Sequence, residues 1–185
     1  VYAERYDEVT ILFADIVGFT ALSERHSPEE VVRLLNELFT RFDELVDAHG
    51  GYKVKTIGDA YMAASGLPPA SAAHAAKLAD FALAMVEALE EVNVGHTEPL
   101  RLRIGIHTGP VVAGVIGAKR PRYDVWGDTV NVASRMESLG VPGKIHVSES
   151  TYRLLNGLES FQFRFPRGEV SVKGKGKPMK TYFLH

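Results

Sequence analysis

The sequence predicts a mixed α/β domain, a sheet of apolar strands with helices laid against it. Three stretches carry that expectation. Val54–Ile57 and Ala60–Ser65 are strand-like runs joined at Gly58-Asp59, a dinucleotide type that closes hairpins. A strongly marked amphipathic helix runs from Ser27 to the Gly50-Gly51 stop. Leu100–Gly109 alternates apolar and polar residues as a strand does.

Near the start of the chain, Ile11–Ala14 is an apolar strand that ends on Asp15 and breaks into a turn at Gly18. The backbone amides of residues 16–20, Phe19 and Thr20 among them, are candidates to face a phosphate as a helix N-terminus does. The first long helix has Ser27 as N-cap, Pro28 at its first position and Glu30 at capping-box spacing. Val31, Leu34, Leu35, Leu38, Phe42, Leu45 and Val46 recur at helical spacing and form its core face. The hairpin comes next. Gly66-Leu67-Pro68-Pro69 then breaks the chain before an Ala-rich helix over 71–94. His74 on that helix has no partner at metal-ligand spacing and reads as structural or solvated.

The 100–109 strand is expected to end in a turn at Gly109-Pro110, with Val111–Gly117 returning as its partner. Arg103 lies among strand residues and either reaches water or pairs with an anion, because an unpaired buried guanidinium is costly. Residues 118–123 read as a basic loop, solvated or reaching a partner subunit. A helix begins near Thr129, and on it Asn131 and Arg135 are four apart and leave the same face. That pair suits an oxyanion or phosphate, or else a surface ion pair. The remainder reads as a strand over 144–147, a short helix over 150–154, and strands over 161–165, 169–172 and 180–184. Lys173-Gly174-Lys175-Gly176-Lys177-Pro178 forms a glycine-loosened basic loop between the last two.

Composition narrows the chemistry. With 185 residues, 45% of them hydrophobic, the chain can bury one sizeable core, and one domain over 1–185 is expected. Charge is near balance, 21 Lys and Arg against 23 Asp and Glu, which argues against a nucleic-acid partner. The absence of Cys removes disulfides, thiolate zinc sites and thiol catalysis. No apolar run reaches membrane-spanning length, so no membrane contact by this segment is expected. A start on Val1 rather than on an initiator methionine is expected of a piece of a longer protein. Against this background two carboxylates stand out: Asp15 and Asp59, at the ends of neighbouring strands, can share one divalent metal site or two.

Five motifs taken together resemble one family. They are FADIVGFT at 13–20, KTIGDAYMA at 55–63, LRIGIHTGPVVAGVIG at 102–117, YDVWGDTVNVASRME at 123–137 and VKGKGKPMKTYFL at 172–184. In this order they resemble the catalytic domain of class III nucleotidyl cyclases, in the branch of the membrane-anchored bacterial and animal adenylyl cyclases. The resemblance implies a ferredoxin-like α+β fold, with a central, mostly antiparallel sheet and flanking helices, related to the polymerase palm. It also implies a head-to-tail homodimer. The segment would be a cytoplasmic catalytic domain, with membrane anchoring of the full-length protein left open.

Residue by residue, the resemblance implies these roles. Asp15 and Asp59 hold two divalent cations, Mg²⁺ or Mn²⁺, with the Ile16 carbonyl as a further ligand; hard oxygen donors suit such ions. Asn131 orients the ribose and Arg135 stabilises charge at the α-phosphate. Arg103 and Lys173 hold the terminal phosphates and the departing pyrophosphate. Lys55 and Asp124 read the base. Adenine offers a donor at its 6-amino group for Asp124 and an acceptor at N1 for Lys55, whereas guanine reverses both. ATP is therefore the expected substrate and cyclic AMP the product, by in-line attack of the ribose 3′-hydroxyl. One chain carries both halves of the family's site, so a C2 homodimer with two complete sites is expected. The alternatives are a guanylyl cyclase and a non-catalytic nucleotide-binding regulatory domain of the same fold. A diguanylate cyclase is disfavoured, because the hairpin reads Gly58-Asp59-Ala60.

Overall fold

Two long strands, β1 (Tyr2–Val17) and β4 (Arg101–Ile116), run antiparallel through the middle of the molecule. The structure is a computed structural model that describes residues 2–93 and 99–185, with side chains at all of these except 164–166. Between β1 and β4 come α1 (Phe19–Arg25), α2 (Pro28–Ala48), β2 (Tyr52–Ile57), β3 (Ala60–Ser65) and α3 (His74–Asn93). After β4 come β5 (Arg122–Trp126), α4 (Asp128–Ser138), β6 (Ile145–Ser148), α5 (Glu149–Leu155), β7 (Phe163–Val170) and β8 (Met179–Leu184). The expected end of the third helix at Val94 lies outside the described residues, as does Val1.

Among the described residues the strands form one sheet in the order β2-β3-β1-β4-β6-β8-β7, with β5 paired to β4 off that path. Every pairing is antiparallel except β4 with β6. The segment from β1 to β4 holds two split βαβ units in the order β2-β3-β1-β4. That is the ferredoxin-like arrangement the motifs implied.

Strand alternation explains how the sheet is covered. Leu12, Ala14 and Ile16 point to one face and pack with Leu38, Phe42 and Val46 of α2 and Leu78, Phe81 and Met85 of α3. Val9 and Ile11 point to the other and pack with Val54, Val111, Val125 and Ala133. A strand buried on both faces reads as a continuous apolar run, as 11–14 does. In α2 the Glu30 N–H donates to Ser27 Oγ at 3.3 Å, confirming the cap, while the Glu30 carboxylate meets His26 Nδ1 at 3.0 Å. The α3 residue His74 is structural: it is buried, with Nδ1 2.7 Å from Thr10 Oγ1 and Nε2 2.8 Å from Glu8.

Four expectations are corrected. No turn interrupts the chain at Gly109-Pro110, because β4 continues straight through. Pro110 lies opposite a bulge in β1, where the register shifts between Tyr6 and Val9, so its missing N–H breaks no ladder bond. The returning partner of Val112–Ile116 is β5, which takes Arg122 and Tyr123 out of the expected basic loop. The turn after Gly18 is a short helix, α1, with Phe19 and Thr20 as its first residues. The strands expected over 161–165 and 169–172 are one strand, β7, whose register shifts fall at Pro166 and Gly168.

One close approach fixes α4. A Cβ on Gly105 of β4 would lie 2.0 Å from the Glu137 backbone nitrogen. Only glycine lets the helix settle this tightly on the strand. That seat sets where the side chains of α4 are presented.

Candidate active site

The β2–β3 hairpin turns at Gly58, which takes a φ of 59° while Asp59 keeps an ordinary negative one. This is the pattern of a type II′ turn, with Gly first. It lifts the Asp59 carboxylate to the tip. Asp15 lies across from Ala60 in the neighbouring strand, one residue from Asp59, close enough for the Asp59 charge to act on the Asp15 carboxyl. Burial raises the Asp15 carboxyl above its usual range, the adjacent Asp59 raises it further, and Arg103 offsets part of this. Two carboxylates held together against their mutual repulsion suit a divalent cation. Among the described residues no group of three or more His, Cys, Asp or Glu is placed to hold a metal. Asp15, Asp59 and the Ile16 carbonyl would therefore supply only part of a coordination sphere, as Mg²⁺ commonly accepts when phosphate oxygens and water complete it.

Arg103 is the cross-strand partner of Asp15. Its guanidinium lies 3.5 Å from Asp15 and donates through Nε to Glu137 of α4 at 2.7 Å. Of the two options left open for this residue, it pairs with anions, and both belong to its own chain. Glu137 was not legible as a site residue, since nothing in its spacing marks it.

Lys55 of β2 and Asp124 of β5 meet at 2.8 Å, Nζ to Oδ2, with side chains 24% and 13% exposed. The other Asp124 oxygen accepts the Val125 N–H at 2.8 Å, which fixes the carboxylate. On the same two strands the Tyr52 and Tyr123 rings pack edge to face, 5.4 Å between centres, against the apolar cluster that holds Val54 and Val125. The expected base-reading pair is thus brought together from positions far apart in the chain.

Asn131 and Arg135 are both exposed on α4, and among the described residues neither side chain makes a hydrogen bond or ion pair. Glu137 is two residues beyond Arg135, about 200° around the helix, so Arg135 leaves the face opposite to the one that meets Arg103 and Asp15. Lys173 is exposed in the turn between β7 and β8, and in the same turn Lys175 pairs with Asp128, the first residue of α4. Phe19 packs partly into the core, while Thr20 is exposed.

This fold, with one aspartate two residues inside the end of β1, a second in the β2–β3 turn and an Asn/Arg helix face, is that of the catalytic domain of a class III nucleotidyl cyclase. The chain belongs to the adenylate and guanylate cyclase catalytic domain family, whose pattern matches residues 1–185. It is 55% identical over 187 residues to atrial natriuretic peptide receptor 2 of Rattus norvegicus, covering 100% of this chain but 18% of the receptor. Further curated relatives at 49% to 52% identity are named guanylate or guanylyl cyclases. The chain is similar to the catalytic core of a rhodopsin-guanylyl cyclase with converted specificity in complex with ATPαS, at 42% identity and a TM-score of 0.92, covering 100% and 98% of the two chains. It is also similar to the adenylyl cyclase CyaB from P. aeruginosa, at 32% identity and a TM-score of 0.92, covering 100% and 96%. By name, then, the curated relatives favour the guanylyl alternative over the adenylyl reading. Among the described residues no helix is long and apolar enough to cross a membrane.

Proposed function

We propose that this domain is an adenylyl cyclase that converts ATP to 3′,5′-cyclic AMP and pyrophosphate at sites shared between two copies arranged head to tail. The observation that carries the base assignment is the Lys55–Asp124 pair at 2.8 Å. Asp124 accepts from the adenine 6-amino group, and a second Lys55 proton goes to N1. Guanine would set its O6 acceptor against the carboxylate and its N1–H against the ammonium, leaving buried polar groups mispaired.

Asp15, Asp59 and the Ile16 carbonyl would hold two divalent cations, Mg²⁺ or Mn²⁺, and such ions would supply Lewis-acid activation of the 3′-hydroxyl and countercharge for the triphosphate. Asn131 holds the ribose so that its 3′-oxygen is in line with the α-phosphorus. As the 3′-O–Pα bond forms and the bond from Pα to the bridging oxygen breaks, Arg135 donates to the charge gathering on the α-phosphate. Lys173 meets the departing pyrophosphate. Arg103 is already engaged by Asp15 and Glu137, so we assign it to neutralising Asp15 rather than to direct phosphate contact. The opposed directions of Arg135 and Glu137 support the two-copy site: a helix that turns Glu137 toward its own Asp15 turns Arg135 away from it.

A second reading, guanylyl cyclase, is favoured by the names of the curated relatives. A third, a nucleotide-binding domain without activity, shares the fold. Incubation with ATP or GTP and Mn²⁺, followed by separation of nucleotides, tests the enzyme reading. Cyclic AMP and pyrophosphate in equal amounts are expected from ATP. Nucleotide binding with no cyclic product from either substrate contradicts it.

A further inference from the structure

β2 departs from regular pairing at one place. Lys53 is opposite Ala63 and Lys55 is opposite Met62, so Val54 is the extra residue of a bulge. In an unbroken strand Lys53 and Lys55 would leave the same face. Here they leave opposite ones. Lys53 Nζ reaches Asp43 of α2 at 2.9 Å on the helix-covered face, whereas Lys55 reaches Asp124 of β5 on the other. Val54 joins Val125 in the apolar cluster of that second face.

The helix side of this arrangement is well built. Asp43 also accepts the Tyr61 hydroxyl at 2.7 Å, and Tyr61, 1% exposed, is among the largest buried side chains. The Lys53 ammonium stands 5.5 Å from the centre of the Tyr61 ring, within cation–π range. Tyr61 in turn packs edge to face on Phe42 of α2 at 5.7 Å. Asp43 is therefore a fixed anchor, and Lys53 occupies it. Were β2 to pair regularly, Lys55 would turn to the helix face, and Asp43 would be the carboxylate waiting there.

We propose that Lys53, seated on Asp43 and Tyr61, is a positioning residue for base selection: it holds the bulge in β2 and so keeps Lys55 directed to Asp124 and the purine. The proposal rests on the reading that Lys55 and Asp124 recognise the base. It assigns Lys53 no contact with substrate.

The test compares kcat/KM for ATP and for ITP, which carries guanine's O6 acceptor and N1–H donor without its 2-amino group. Lys53→Met should lower the ATP/ITP ratio about tenfold, because the adenine contacts weaken while the phosphate contacts stay. Lys53→Arg should keep the ratio within about twofold of wild type, since a cation still reaches Asp43. A structural role alone would slow both nucleotides equally, so an unchanged ratio in Lys53→Met overturns the proposal whatever happens to the rates. Lys53→Arg behaving like Lys53→Met overturns it too. If Lys53→Met fails to fold, Asp43→Asn is read in the same ratio with the same expectation. Lys55→Met is the control: if it leaves the ratio unchanged, the base-reading assignment itself fails. If Lys55→Met changes the ratio and Lys53→Met does not, only the present proposal fails.

Discussion

Arg103 and Glu137 meet at 2.7 Å across the contact between β4 and α4, and the same guanidinium lies 3.5 Å from Asp15. The strand that flanks Asp15 is thereby tied to the helix that presents Asn131 and Arg135. Burial raises the Glu137 carboxyl, and Arg103 counters it, so the pair is held in a partly dry setting. Glu137→Ala leaves the part-buried Arg103 guanidinium with Asp15 as its one charged partner and should lower stability by about 1–2 kcal/mol, the disfavoured charge of the removed carboxylate offsetting part of the lost hydrogen bond. A small shift of α4 should also lower kcat about tenfold or more, because reacting groups tolerate little misplacement. Urea denaturation beside initial rates checks both. Wild-type stability in this variant would show that the contact is idle.

Asp15→Ala and Asp59→Ala should each abolish cyclisation and leave the fold intact. The raised Asp15 carboxyl means that its charged form is disfavoured in the folded chain. Its removal should therefore leave the protein at least as stable as wild type. Circular dichroism and thermal melts measure the second half, product assays the first. An active Asp15→Ala variant would remove that residue from the metal site.

These assignments show what a single sequence exposes. The Ser27 cap, the Gly58-Asp59 turn and the four-residue spacing of Asn131 and Arg135 are local, and each appears in the structure as read. The bulges are not local. Pro110 looks like a strand breaker until its partner strand supplies a bulge opposite it, and Val54 looks like an ordinary inward residue until the register with β3 is known. The β5 strand straddles the end of the basic, Pro-broken stretch and the lead into α4, and its order comes from pairing with β4 rather than from its own pattern. Glu137 was missed for the same reason, since only the docking of α4 on Gly105 brings it to Arg103.

The neutral state of His107 makes stability depend on pH. Its Nδ1 lies 2.6 Å from Ser148 Oγ, and burial, helped by Lys175 and opposed by Asp128, lowers its pKa from 6.5 to about 4. The unfolded chain therefore binds a proton that the folded chain refuses as pH falls from 6.5 toward 4, and stability falls over that window. Between pH 7 and pH 5 this group should cost about 2 kcal/mol. His107→Asn keeps a partner for Ser148 and cannot titrate, so the difference between the two proteins should shrink by that amount on going to pH 5. Parallel stability-against-pH curves would contradict the assignment.

Asp59→Ala and Arg135→Ala, each inactive alone, should regain activity when mixed. If a site takes metals from one copy and Arg135 from the other, a mixed dimer has one intact site and one that lacks both residues. Random pairing of equal amounts makes about half the dimers mixed, so about a quarter of wild-type activity is expected. Differently tagged chains first establish that heterodimers form. Heterodimers without activity would mean that the site is not shared in this way.

The choice of base is tested most directly by internal competition. Equal concentrations of ATP and GTP are given to one sample of the wild-type protein with Mn²⁺, and the initial ratio of cyclic AMP to cyclic GMP is measured. That ratio equals the ratio of the two kcat/KM values, free of any difference in enzyme concentration or active fraction. With Lys55 and Asp124 reading adenine, cyclic AMP should exceed cyclic GMP by about a hundredfold, since guanine mispairs two hydrogen-bonding groups at about 1–3 kcal/mol each. Cyclic GMP in equal or greater amount would contradict the adenylyl assignment and return the domain to the guanylyl side of its family.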